Sequence, residues 1–119
     1  AHQPHLMRKV RVLEAAASEV IEAAAWYEER SSGLGQAFGR AVDAALDLLE
    51  SDGAGLVPLP GVAGTRGLQR LVMKRFPYDV VVVERSATEV LVVAFAHHSR
   101  HPGYWRGRLS AATDDSSTK

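Results

Sequence analysis

Two runs, VVVV at residues 80–83 and VLVVAFA at residues 90–96, place apolar side chains on both faces of an extended chain. Successive side chains of a strand point to opposite faces, so a half-exposed strand alternates apolar with polar residues. An unbroken apolar run marks a strand covered on both sides. These runs therefore belong at the centre of a sheet, and each face of that sheet needs a cover. Three strands are expected at Leu68–Lys74, Tyr78–Arg85 and Glu89–Ala96. The turns between them are short, one marked by Pro77 and the other by RSAT, which favours antiparallel neighbours.

The cover for one face lies upstream. Ala15–Glu29 is alanine-rich and free of proline and glycine, with Ala17, Val20, Ala24 and Tyr27 at helical spacing. Ser31, Ser32 and Gly33 break it. Leu34, Phe38, Ala41, Val42, Ala45, Leu48 and Leu49 then form an apolar stripe opposite Gln36, Arg40, Asp43, Asp47 and Glu50, which predicts an amphipathic helix ending near Ser51–Gly53. Helices joined by so few residues pack as an antiparallel hairpin. VRVL at residues 10–13 reads as a first strand, and GAGLVPLPGVAGTRG at 53–67 as a loop. The expected fold is α+β, in the order β-α-α-β-β-β, with the helical hairpin packed on a small antiparallel sheet. Either the chain's own C-terminal segment or a partner is left to cover the second face.

The length, 119 residues, suits one domain. Residues 10–108 are expected to form it. Residues 1–9 read as an N-terminal extension, not all of it native, with Met7 a candidate initiator, and 109–119 as a polar, disordered tail. The chain has no cysteine, which excludes disulfide scaffolds, thiolate metal sites and a cysteine nucleophile. No apolar stretch approaches the roughly 18 residues of a membrane span, and a cytoplasmic location is expected. The net charge of zero conceals a division. Residues 14–52 carry nine acids against two arginines, whereas residues 66–108 carry eight bases against three acids, so the domain should have two electrical faces.

The basic segment ends in AHHSRHPGYWRGR, residues 96–108. His97 and His98 are adjacent on a strand and point to opposite faces, so they do not share one ion, and His101 completes no ligand set with a nearby carboxylate. No metal and no cofactor are expected. Tyr104 and Trp105 read most simply as a lid over the sheet, while Arg100, Tyr104, Trp105 and Arg106 together form a candidate target-binding surface for phosphate or for an acidic partner. Arg100, at the strand exit, is placed best. Cleavage of RNA through the ribose 2′-OH would need a base, a cation for the developing charge and an acid. Arg70, Lys74, Arg75, Arg100, Tyr104 and one histidine are the candidates for those roles.

Trp26-Tyr27-Glu28, Gly33-Leu34-Gly35 before Phe38, Phe76-Pro77-Tyr78, and His97-His98 with Arg100, Pro102, Tyr104 and Trp105 follow one another in an order and with gaps that resemble the RelE/ParE superfamily of bacterial type II toxin–antitoxin toxins. The resemblance spans roughly residues 10–108 and is greatest to the ParE branch. It implies a growth-inhibiting toxin, silenced by a cognate antitoxin that wraps the hairpin and sheet, with Trp26, Tyr27 and Phe38 as candidate contacts. ParE-like members poison DNA gyrase and are not enzymes in that action; RelE-like members cleave messenger RNA on the ribosome. The latter resemble one another in a lysine- and arginine-dense active face, with a tyrosine or histidine near the C-terminus. This chain has three lysines, Lys9, Lys74 and Lys119, with only Lys74 in the expected sheet, which favours the gyrase branch.

Overall fold

The computed structural model describes residues 8–51 and 55–109; most of the expected N-terminal extension and polar tail lies outside them. Strand β1 (Lys9–Val12) leads directly into helix α1 (Glu14–Arg30), and α2 (Leu34–Glu50) follows after three residues. Beyond them come a two-residue strand β2 (Val57–Pro58), a single helical turn α3 (Gly61–Thr65), and strands β3 (Leu68–Val72), β4 (Tyr78–Ser86) and β5 (Glu89–His97). The sheet order is β1-β5-β4-β3-β2, so the two apolar strands are central as expected. No helix among the described residues is long and apolar enough to cross a membrane.

Three features differ from expectation. The sheet is mixed rather than wholly antiparallel, because β1 runs parallel to β5, with Lys9 opposite Glu89 and Val12 opposite Val92. Short turns dictate direction only between consecutive strands, and the whole of the intervening fold separates β1 from β5. The glycine-proline run is also not all loop. Its β2 pairs with β3, and Leu59 N–H donates to Leu68 O at 3.0 Å, so the segment is tied to the sheet edge. The fold also begins earlier than residue 10. Arg8 is buried, its Nε donates to Leu49 O at 3.1 Å, its guanidinium pairs with Glu84, and its N–H donates to Glu50 O at 2.8 Å. A cation on those last carbonyls suits the C-terminus of α2.

Both faces of the sheet are covered. On one side the hairpin packs Phe38, Val42 and Leu49 against Val80, Val82, Val90, Val92 and Phe95. Tyr27, Phe38, Phe76 and Tyr78 form an aromatic group there, with successive ring centroids 5.1–5.3 Å apart. On the other side Leu68, Val81, Leu91, Val93 and Ala94 lie beneath Trp105, with Leu59, Ala63, Tyr104 and Leu109 packed around them. The second cover is therefore the chain's own C-terminal segment, together with the loop before β3. Each fully buried Val, Leu or Phe contributes about 1.5–3 kcal/mol. Val93 and Ala94 are neighbours yet both belong to this second face, because the register of β4 on β5 slips between Val81 and Val82 and leaves Val93 as an extra residue.

The turn of the hairpin explains the motif WYEERSSGLG. Gly33 sits at φ 86°, a left-handed conformation that favours glycine. At Gly35 the helices meet so closely that a Cβ would lie 2.4 Å from Ala24 O. The free N–H groups at the start of α2 find an acceptor on the preceding helix: Glu28 takes the N–H of Gly33 at 2.8 Å and of Gly35 at 2.9 Å. These two bonds hold the Glu28 carboxyl below its ordinary range.

Because that value is lowered by folding, the contribution of Glu28 is present above the ordinary glutamate value of about 4.3 and is lost as pH falls through the lowered folded value. Glu28→Ala is therefore expected to reduce the melting temperature by a few degrees at pH 7, and the gap from the wild-type chain should close in acid. Gly35→Ala is expected to cost about 1–3 kcal/mol in urea unfolding at any pH, since the added carbon meets backbone.

Candidate functional site

On the face away from the hairpin, the sheet carries an open cleft of about 540 Å³. Its floor comes from Arg70 and Val72 of β3, Asp79 and Val81 of β4 and Ala96 of β5; its walls are the segment after β5 and the loop around Leu59–Ala63. Alternation along the strands puts these side chains on one side, and the register places Asp79 opposite Ala96, two residues before His98.

Asp79 is the centre of the floor. Its Oδ1 lies 2.9 Å from His98 Nε2 and its Oδ2 3.3 Å from Arg70 NH1, with only 15% of its side chain exposed. The carboxylate accepts from both, so His98 carries a proton on Nε2 and turns Nδ1 away from Asp79. His98 N–H donates to Pro77 O at 2.8 Å, which fixes the backbone at the strand exit. His97 faces the other way, as expected of its neighbour. It packs edge-on against Tyr78 with centroids 5.0 Å apart, and its Nδ1 accepts the Ser99 N–H at 3.0 Å. Among the described residues no three His, Asp or Glu side chains gather as a metal site would require.

The C-terminal segment winds through successive turns, with Arg100 N–H on His97 O at 2.9 Å and Arg106 N–H on Gly103 O at 3.0 Å. Arg100 is exposed and lays its guanidinium 3.8 Å from the centre of the Tyr104 ring. Tyr104 in turn donates its hydroxyl to Glu19 of α1. Burial first, then the hydrogen bond and charge of Glu19, push the phenol well above the ordinary tyrosine value. Arg108 closes the group with two bonds to the Glu19 carboxylate, at 3.0 and 2.9 Å.

The structure separates the residues proposed from sequence. Arg70, Arg100, Tyr104, Trp105 and Arg106 all border the cleft, but Lys74 and Arg75 sit at the exposed turn between β3 and β4 and are not among its lining residues. Trp105 is 5% exposed, so it is a core residue of the second face and offers little surface to a target. Phe38 is 0% exposed and is likewise withdrawn as a partner contact, whereas Trp26 is 50% exposed and Tyr27 is partly so. The Tyr104 hydroxyl is committed to Glu19 and is no free acid. Sequence reasoning missed Glu19 and Asp79, the latter the partner of His98.

Compared with known protein families and with curated proteins, the chain matches none. Among solved structures it is similar to a chain of the chromosomal ParDE TA system from P. aeruginosa, with a TM-score of 0.59 and 17% identity, over 76% of this chain and 96% of that one. At that identity the likeness is one of fold, and it agrees with the RelE/ParE-like fold expected from sequence.

If Trp105 is core, Trp105→Ala should cost about 3–5 kcal/mol in urea unfolding. Arg106→Ala, whose side chain is exposed, should stay within about 0.5 kcal/mol.

Proposed function

We propose that this chain is the toxin of a type II toxin–antitoxin pair of the ParE kind, which arrests growth by poisoning DNA gyrase and is silenced by a cognate antitoxin. The observation that carries the reading is the shared fold: a tight helical hairpin on a mixed sheet, matched over 96% of the length of a ParDE chain. The order of sequence marks from Trp26 to Trp105 supports it.

The surface suits both roles. The hairpin leaves apolar side chains in water, with Ile21 70%, Trp26 50% and Leu48 44% exposed. A disordered antitoxin segment that folds on binding would cover them, with Trp26 and Tyr27 among its contacts. The hairpin is acidic and the opposite cleft basic, so antitoxin and target engage different charge. Arg100 and Arg106 at the cleft mouth are the target-binding residues of this reading, with Tyr104 as the platform for Arg100.

One observation favours a second reading, a ribosome-dependent messenger endonuclease of the RelE kind. His98, oriented by Asp79 and beside Arg70, has the form of a general base facing a cationic cleft. Against it, the Tyr104 hydroxyl is bound to Glu19 and is not free to act as the acid, and Lys74 and Arg75 do not line the cleft.

Purified protein is to be incubated with gyrase and supercoiled plasmid and, in parallel, with a translating extract probed for messenger cleavage. Linear plasmid beside intact messenger is expected; cut messenger with unchanged plasmid would reverse the choice. Arg100→Ala should lower gyrase poisoning at least about tenfold and leave antitoxin binding intact. His98→Ala should leave poisoning unchanged, whereas it would abolish nuclease activity.

A further inference from the structure

β1 ends at Val12, and its last contact is Leu13 N–H on Val92 O at 3.1 Å. Beyond Val92, the outer edge of β5 has no neighbouring strand among the described residues. Buried main-chain groups need partners, and here side chains supply them. Phe95 N–H donates to Glu19 Oε1 at 3.0 Å, and Arg108 NH1 donates to Val93 O at 3.0 Å. The same Glu19 carboxylate also binds both terminal nitrogens of Arg108 and accepts the Tyr104 hydroxyl.

Glu19 thus holds β5, through Phe95, and the C-terminal segment, through Tyr104 and Arg108, to α1. It stands on α1 in line with buried Ala16 and Ala23, and its side chain is 14% exposed. The two-pronged contact with Arg108 fixes the plane of the carboxylate, and Phe95 N–H fixes its distance from the sheet. What remains of its accepting capacity is aimed at Tyr104. The ring of Tyr104 carries Arg100, whose guanidinium has no carboxylate partner among the described residues. A flexible arginine in water explores many rotamers; one laid on an anchored ring has its direction set in advance.

We infer that Glu19 is a positioning residue: from the opposite side of the sheet edge it anchors the Tyr104 ring and thereby sets the direction in which Arg100 meets the target. The inference rests on the reading of Arg100 as a target-binding residue. Glu19 touches no target itself and acts through Tyr104.

Two variants separate this role from plain stabilisation. Glu19→Gln removes the charge, and Tyr104→Phe removes only the hydroxyl, leaving the ring and the Glu19–Arg108 pair in place. The Arg100 side-chain protons, assigned by comparison with Arg100→Lys, report on the ring through its magnetic shielding in NMR spectra. Both variants are expected to move these resonances toward those of an unstacked arginine. Both should need about tenfold more protein for the same growth arrest, at unchanged antitoxin affinity. Unmoved Arg100 resonances in Tyr104→Phe would overturn the inference, and so would full toxicity after the resonances have moved. If Glu19→Gln fails to fold, Tyr104→Phe decides alone. Growth arrest by a wild-type chain that leaves gyrase untouched would remove the gyrase reading, while the resonances and the arrest assay would still judge Glu19.

Discussion

The double-sided apolarity of β4 and β5 is the constraint on which the rest of the molecule depends. A strand such as Val80–Val83 buries side chains on both faces, and a small domain has few elements to put over them. The hairpin takes one face by means of an amphipathic second helix. The other face falls to a chain end, where Trp105 supplies most of the ring area over Leu68, Val81 and Leu91. Placing the last turns on the sheet has a by-product. Those turns carry Arg100 and Arg106, so the same packing that completes the core lines a cleft with positive charge.

Charge follows the same division of labour. The hairpin holds most of the acids, and because it occupies one face of the sheet the basic segment is free on the other. Glu19 is the exception, an acid that turns inward and joins the two halves through Arg108. An ion pair exposed on neither side costs desolvation, which is offset only when its remaining hydrogen-bonding capacity is used. Phe95 N–H, Val93 O and the Tyr104 hydroxyl use it. The pair therefore does more for geometry than for stability.

Most of the framework was legible in the residues. The stripe of α2 and the unbroken apolar runs give the hairpin and the two central strands, with boundaries close to those observed. The direction of β1 was not legible, since no short turn links it to β5. Glu19 carried a faint signal: it shares a helical face with Ala16 and Ala23, the buried positions of α1, whereas the expected stripe began one residue later at Ala17. The link between Asp79 and His98 gave no signal at all, the two being nineteen residues apart and joined only by the pairing of β4 with β5. A related gap concerns phase. In residues 90–96 every side chain is apolar, so alternation cannot reveal which face any of them takes.

That hidden phase is settled by the extra residue at Val93. Ahead of it the even-numbered side chains Val90 and Val92 point to the helices; after it Phe95 does, and Ala96 and His98 line the cleft. The main chain changes sides with them, so Val92 O serves β1 while Val93 O and Phe95 N–H are handed to Arg108 and Glu19. The slip acts as a parity bit for everything downstream. Were residues 90–98 to run in strict alternation with no slip, His97 would take the place of His98 at the cleft and Phe95 would turn out of the core.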